Sequence, residues 1–416
     1  MARERYSNPD SPGGDGKEPG FDPEATSPYV SLAAAEVAED AADPDVTDEA
    51  GGIIFHCDTD GSTDTAFATI GGWTTDATHP ITIQVDSANR SAGVWDASKY
   101  HIIVDAEDGI YLQEDHIRLV GVQVANTNAG ASDDVVYIFS VLAGGTIHVN
   151  HCIIKGCVAN AATDGICYQD GDGDFSCYNN IIYNFDNSAA GYGINSSAAN
   201  TYAYNNTIYD IRQPLRQAAG TFIAKNNICN NVGLQTFVGT MDAKSARNIT
   251  DYAPTAFEWA GTAVDSGTCD DTGANKILDG DQNFLTTCKV GYIVKNTTDT
   301  TFTYITAVDG NGELTVNDDI FVDTETYEIS ENFFKDVDFA TAGSDFHLAA
   351  TETIAIENGE DLDPDDDELL NVTDDIEGDT RDTDTPDIGA DEYVGEEPPE
   401  TIVPQIQYLR NMGVIA

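Results

Sequence analysis

The stretch Phe175-Ser-Cys-Tyr-Asn179-Asn180-Ile-Ile-Tyr183 decides how this chain folds. A β-branched and aromatic run stops at two asparagines and resumes as a second apolar run, the pattern of two short strands meeting at a polar corner. The pattern recurs in Ile147-His-Val-Asn150-His-Cys-Ile-Ile154, Tyr202-Ala-Tyr-Asn205-Asn206-Thr-Ile-Tyr209 and Phe222-Ile-Ala-Lys-Asn226-Asn227-Ile-Cys229, with a fainter copy in Ala246-Arg-Asn248-Ile-Thr250. Asn150, Asn179, Asn205, Asn226 and Asn248 stand 29, 26, 21 and 22 residues apart. Units this short hold two or three strands and cannot close a core alone, so they must stack. Stacking at a strand spacing of about 4.8 Å gives parallel sheets with alternate side chains pointing in. An asparagine repeated at one corner can then bond to its equivalent in the next coil, so these five residues are the expected structural ladder. Helical periodicity is missing, and Gly-rich corners at this density would ruin helices.

These copies resemble the right-handed parallel β-helix repeat family, the pectate-lyase-like superfold. Phe346-His-Leu-Ala-Ala350, Ile354-Ala-Ile-Glu-Asn-Gly359, Gly378-Asp-Thr-Arg381 and Asp387-Ile-Gly-Ala-Asp-Glu-Tyr393 are similar to the closing coils of such helices. Asn8-Pro-Asp10, Gly13-Gly-Asp-Gly16 and Tyr29-Val-Ser-Leu-Ala-Ala-Ala35 resemble the lead-in, where a short helix caps the first coil. Coil lengths are irregular and Glu357 stands where the family carries Asp, so the likeness is one of pattern.

A second module interrupts the repeat. Val290-Gly-Tyr-Ile-Val-Lys-Asn296, Phe302-Thr-Tyr-Ile-Thr-Ala-Val308, Glu313-Leu-Thr-Val316, Asp319-Ile-Phe321 and Thr326-Tyr-Glu-Ile329 alternate like strands, and Asp309-Gly-Asn-Gly312 is a hairpin signal. The segment resembles the small β-barrel insert of bacteriophage virion and tail proteins. The expected fold is therefore all-β: a right-handed parallel β-helix (solenoid) with a short N-terminal capping helix and an inserted small antiparallel β-barrel. The map runs 1–50 lead-in and cap, 51–275 β-helix, 276–330 inserted module, 331–394 closing coils and acidic cap, 395–416 linker and apolar docking tail.

Charge bounds the partners. The 416 residues carry 18 Lys+Arg against 73 Asp+Glu, a formal charge of −55. Gripping nucleic acid through phosphate neutralisation needs clustered basic residues and is excluded. Docking on an anionic membrane is disfavoured, and no stretch approaches the roughly 18 apolar residues of a membrane span. Hydrophobic residues at 41% still supply a core. The excess of acid peaks at 351–400, with 21 Asp or Glu against Arg381 alone. The start at Met1 has no apolar h-region, so no signal peptide is expected. The eight cysteines form no CxxC pair and read as buried thiols, with Cys269–Cys288 the most plausible bridge.

Chemistry is thinly marked. Asp170-Gly-Asp-Gly-Asp174 sets three carboxylates on alternate residues of a Gly-rich turn, so calcium at Asp170, Asp172 and Asp174 is the metal expectation, against an unliganded acidic turn. Ile181 stands where an EF-hand would need its closing Glu. Asp164, Asp170, Asp186 and Asp210 lie near corners of successive coils, where stacking alone gives glycosidase spacing. Lys155, Arg212, Arg216 and Lys225 are the repeat-region candidates for the base that a lyase would need, and Arg212 and Arg216 read as local charge balance. No GxSxG, Walker A, HExxH or GxGxxG occurs in its required setting, and catalytic residues stay unassigned. His148 and His151 read as structural, and Tyr178, Tyr183, Tyr204 and Tyr209 as stacking on each other.

From the resemblance, the expected protein is a non-enzymatic bacteriophage virion structural protein: a capsid-surface decoration, spike or tail fibre that contacts host surface glycan. The alternative is a polysaccharide-degrading tailspike or a secreted lyase or hydrolase on the same scaffold. Implied partners are other virion proteins, host polysaccharide and copies of the chain, a trimer being favoured. Implied location is the virion, after assembly in the host cytoplasm.

Overall fold

The computed structural model describes residues 2–11, 28–59, 61–105, 108–128, 133–157, 163–186, 191–255, 259–271, 273–362 and 370–394. The docking tail expected at 395–416 and part of the lead-in lie outside them.

Three parallel sheets wrap one core. The first has eight strands, from Arg3–Ser7 through Thr146–Asn150, Asp174–Tyr178 and Asn200–Tyr204 to Thr221–Lys225. The second begins at His101–Val104 and includes Ile153–Lys155, Ile181–Tyr183, Thr207–Ile211 and Ile228–Val232. The third has seven strands and includes Ile110–Leu112, Val136–Val141, Ile166–Gly171, Tyr192–Ser196 and Gln213–Gln217. Each coil visits the sheets in turn, which makes the chain a parallel β-helix. Alternation sends one column from each strand inward: Ile110, Val136, Ile166, Ile194 and Leu215 on the third sheet are all fully buried. Pairing in register keeps like residues above like, so apolar layers stack without a break.

The corner between the first and second sheets is two residues long, and each residue has its own task. His151, Asn179, Asn205, Asn226 and Arg247 take positive φ of 51–55°. Asparagine tolerates that left-handed conformation better than other side chains except glycine. The following residue points inward and builds the ladder. Asn180, Asn206 and Asn227 each donate Nδ2 to the Oδ1 of the next, at 3.0, 3.0 and 2.8 Å, ending on Asn248. Asn248 continues at 3.0 Å to Asn332, which lies beyond the inserted module. The ladder thus runs one residue later than the expected Asn179, Asn205 and Asn226 and two later than Asn150, where Cys152 takes the position and donates its N–H to Asn180 Oδ1 at 3.0 Å; of the five only Asn248 belongs to it. Asn150 lies in a first-sheet strand, opposite Tyr178. Only the second corner position faces the interior, where an amide must find partners.

Helix Leu32–Ala42 closes the N-terminal end, as the resemblance of the lead-in implies. Ser31 Oγ caps it by accepting the Ala34 N–H at 3.0 Å, and Leu32 and Ala35 are buried. The module is antiparallel: Ala263–Thr268 pairs with Thr326–Phe334, then Tyr292–Asn296, Thr301–Gly310, Glu313–Val316 and Lys276–Leu278 follow. It thus starts before 276. A bond from Asp270 N to Leu278 O at 2.7 Å curls the sheet back toward its first strand. Thr326–Phe334 also pairs parallel with Ile249–Thr250, so one strand serves both module and solenoid. All eight cysteines are free; Cys269 and Cys288 are separately buried module core, not a bridge.

The acidic C-terminal segment is a strap along the corner. Asn226 Nδ2 donates to Glu360 O at 2.8 Å, its Oδ1 accepts Glu360 N at 2.9 Å, and its carbonyl accepts Gly389 N at 2.8 Å. Asn179 Nδ2 donates to Asp374 O at 2.7 Å. Arg381, 4% exposed, sits beneath the strap and donates to the carbonyls of Asp374, Asp387, Gly389 and Ala390, to Asn179 Oδ1 and to Glu392. Buried acids replace strand pairing here: Asp375 Oδ1 accepts the amides of Glu377, Gly378 and Asp379. This is why an acidic segment folds against a corner built of asparagines.

Candidate functional site

The outer face of the third sheet is the richest surface of the solenoid. On its strands Ile110, Val136, Ile166 and Ile194 face in, so Tyr111, Tyr137, Cys167 and Asn195 face out, and Arg216 follows in register. The Tyr111 and Tyr137 rings lie 4.9 Å apart, and Phe139 stacks on Tyr137 at 6.1 Å with 15° between planes. The Arg216 guanidinium lies 4.6 Å from the centre of the Tyr192 ring. The Tyr137 hydroxyl donates to Gln169 Oε1. These rings are half-buried. Tyr111, Tyr137 and Phe139 escaped the sequence reading because they precede the recognised repeat. The signal was present: in Ile110-Tyr-Leu112 and Val136-Tyr-Ile-Phe139 the aromatics hold the outward parity.

An aspartate ladder edges this face. Asp108 Oδ1 accepts Asp134 N at 2.6 Å, Asp134 Oδ1 accepts Asp164 N at 2.8 Å, and Asp164 Oδ1 accepts Tyr192 N at 2.8 Å. Asn195 Nδ2 donates to Asp164 Oδ2 at 2.8 Å. One ligand atom each of Asp134, Asp164 and Cys167 falls within 4.8 Å of the others, a donor set of two carboxylates and a thiol. Asp134 and Asp164 are only 9% and 7% exposed. Burial, and then the charge of Asp164, pushes the Asp134 carboxyl up to about 8; burial also raises Asp164. Burial drives the Cys167 thiol well above its ordinary range, so it is no nucleophile at neutral pH.

The sign of the pH effect follows. The folded Asp134 binds a proton between its usual 3.8 and about 8, whereas the unfolded chain does not. Its contribution to stability is full below about pH 4 and is lost as pH rises through 8. Melting temperature should therefore fall by several degrees between pH 5 and pH 9. Asp134→Asn, which mimics the protonated acid, should flatten that slope. Equal slopes in the two proteins would remove this carboxyl as the cause and leave repulsion among the 73 acids.

The residues expected from sequence scatter. Asp170 ends a third-sheet strand, Asp172 lies in the turn, and Asp174 opens a first-sheet strand and accepts from Asn200 Nδ2 at 2.8 Å. The triplet straddles a coil corner, and its ligand atoms do not converge within 4.8 Å. Asp186 and Asp210 hold left-handed corner positions. Lys155 lies over Trp95 and Tyr183, and Lys225 pairs with Glu360 of the strap at 3.2 Å. Burial, followed by Arg118 and His116, pushes His148 down to about 4; His151 meets Asp374 at 3.2 Å. The Tyr183 and Tyr209 rings pack on Phe346 of the hairpin Phe339–Leu348, at 5.1 and 5.4 Å. Only Arg216 joins the aromatic face and only Asp164 the aspartate ladder.

Fold and face together define a parallel β-helix protein with an aromatic outer surface. Comparisons with protein-family models, with curated proteins and with solved structures gave no match. Among the described residues no helix is long and apolar enough to cross a membrane.

Proposed function

We propose that this chain is a non-enzymatic structural protein of a bacteriophage particle that binds host surface glycan through the outer face of its third sheet. The observation that carries the reading is the run Tyr111, Tyr137 and Phe139 beside Asn195, Tyr192 and Arg216. Sugar rings stack on such faces, while amide and guanidinium groups pair with hydroxyls. A net charge of −55 favours neutral glycans over polyanionic ones. The likeness of 276–330 to phage inserts supports the virion location, with other virion proteins and copies of the chain, as a trimer, for partners. Mass spectrometry of purified particles tests the location, and absence from particles would end it. Tyr111→Ala/Tyr137→Ala should weaken binding to host polysaccharide at least tenfold while far-UV circular dichroism is unchanged. Undiminished binding would remove this face from the proposal.

One observation favours the hydrolytic alternative: Asp134, held protonated near neutral pH, lies beside Asp164 at the edge of the aromatic face. A carboxyl held protonated beside a second acid is what a general acid needs, although burial raises Asp164 as well. Release of reducing sugar from host polysaccharide, abolished by Asp134→Asn, would support it; no release from any host glycan counts against it.

A further inference from the structure

Three segments of the strap region converge on a spot outside the aromatic face. His347 comes from strand Asp345–Leu348, Glu377 from the turn after Asp375, and Asp391 from the last described segment. One ligand atom of each lies within 4.8 Å of the others. We propose that His347, Glu377 and Asp391 bind one divalent cation of the zinc class, which staples the strap to the hairpin beneath it.

The histidine is oriented for this task. Its Nδ1 lies 2.5 Å from Asp345 Oδ1. An ionised carboxylate only accepts, so Nδ1 carries the proton. Nε2 is thereby turned toward Glu377, 3.3 Å from Oε1. A carboxylate behind the distal nitrogen is how ligating histidines are held and made more basic. Glu377 completes the argument: both its oxygens are shielded from solvent and neither receives an aligned hydrogen bond. Leaving a buried carboxylate so poorly paired is costly, and a cation between it and Nε2 removes that cost. Asp391 Oδ2 accepts the Leu348 amide at 2.7 Å, which fixes the carboxylate beside Glu377 and His347.

The space is also kept clear. Gly93, with φ +65°, closes over the cluster, and a Cβ there would come 2.1 Å from Glu377 Oε1 and 3.0 Å from His347 Nε2. One imidazole nitrogen with two carboxylates suits zinc and its neighbours, whereas calcium and magnesium prefer all-oxygen shells. The competing arrangement is an imidazolium bridging Asp345 and Glu377 with no metal.

Calorimetric titration of the EDTA-dialysed full chain with zinc chloride decides between them. The expected result is one tight site per chain, weakened at least a hundredfold in His347→Gln and in Glu377→Gln. Cys167→Ser should retain that site, which separates it from the Asp134–Asp164–Cys167 group. Zinc should raise the melting temperature of the wild-type protein and of neither ligand variant. Melting in EDTA shows that each variant is folded, and either variant alone suffices for the comparison. Equal zinc binding and equal thermal shifts in wild type and variants would overturn the site in favour of the imidazolium bridge. Displacement of zinc by a tenfold excess of calcium would overturn the metal class.

Discussion

Asn206→Ala should destabilise the solenoid by about 3–4 kcal/mol, while Asn205→Gly, one residue earlier, should cost no more than about 1 kcal/mol. Asn206 Oδ1 accepts the Asn180 amide at 3.1 Å and Asn180 Nδ2 at 3.0 Å. Its Nδ2 donates to Cys177 O at 2.9 Å and to Asn227 Oδ1 at 3.0 Å. Alanine removes all four contacts and strands groups that no water reaches, since Asn180, Asn206 and Asn227 are fully buried. Asn205 differs: its φ is 51°, and its Oδ1 has no partner among the described residues. Glycine adopts that backbone without strain. Urea unfolding of the two variants gives the comparison, and a larger loss at 205 than at 206 would refute the inward register of the second asparagine.

Arg381→Lys should release the strap at a cost of about 3 kcal/mol, and Arg381→Ala should cost more. The guanidinium reaches Asp374 O at 2.9 Å through Nε and Gly389 O at 2.7 Å through Nη2, with Glu392 Oε2 at 3.2 Å. Lysine keeps the charge but has no planar fork to serve carbonyls on several sides at once. Alanine leaves Glu392 without this cation and several buried carbonyls without donors. The solenoid core is built from other residues, so its sheets should survive. Limited proteolysis followed by mass spectrometry should find new cuts within 349–394 while 51–250 stays intact. A strap as resistant as in the wild type would show that Arg381 is not what fastens it.

Both predictions rest on features that the sequence displays without showing their partners. The Asn-Asn pairs announced a ladder, yet spacing alone could not say which asparagine faces inward. At a two-residue corner that is decided by φ: Asn150 precedes the left-handed residue His151 and Asn248 follows the left-handed Arg247, although both fit the spacing count. Asn332 was illegible for another reason: the module between 263 and 330 separates it from Asn248, and only three-dimensional stacking brings them together. Arg381 is visible as the lone basic residue of an acidic segment, but only the folded strap wraps five acceptors of that segment around it and brings up Asn179 of the solenoid corner. The Asp170–Asp174 turn reads as a calcium loop in one dimension, whereas a coil corner runs through it. His347, Glu377 and Asp391 span 45 residues with no motif spacing, so only the strap's path assembles them.

Short strands stacked into a parallel solenoid, a helix capping one end and an antiparallel module interrupting the stack are all legible in the chain before it folds. The solenoid and the module follow from periodicity and residue type, which act over a few neighbours and are written into the chain; the helical cap is implied by the resemblance of the lead-in. The inward asparagine, the aromatic face, the buried Asp134–Asp164 pair and the strap's His–Glu–Asp cluster were decided by tertiary structure alone. Each depends on which coil lies above which and on how far a side chain is removed from water. Stacking register and burial are properties of the assembled fold, and no local stretch of sequence carries them.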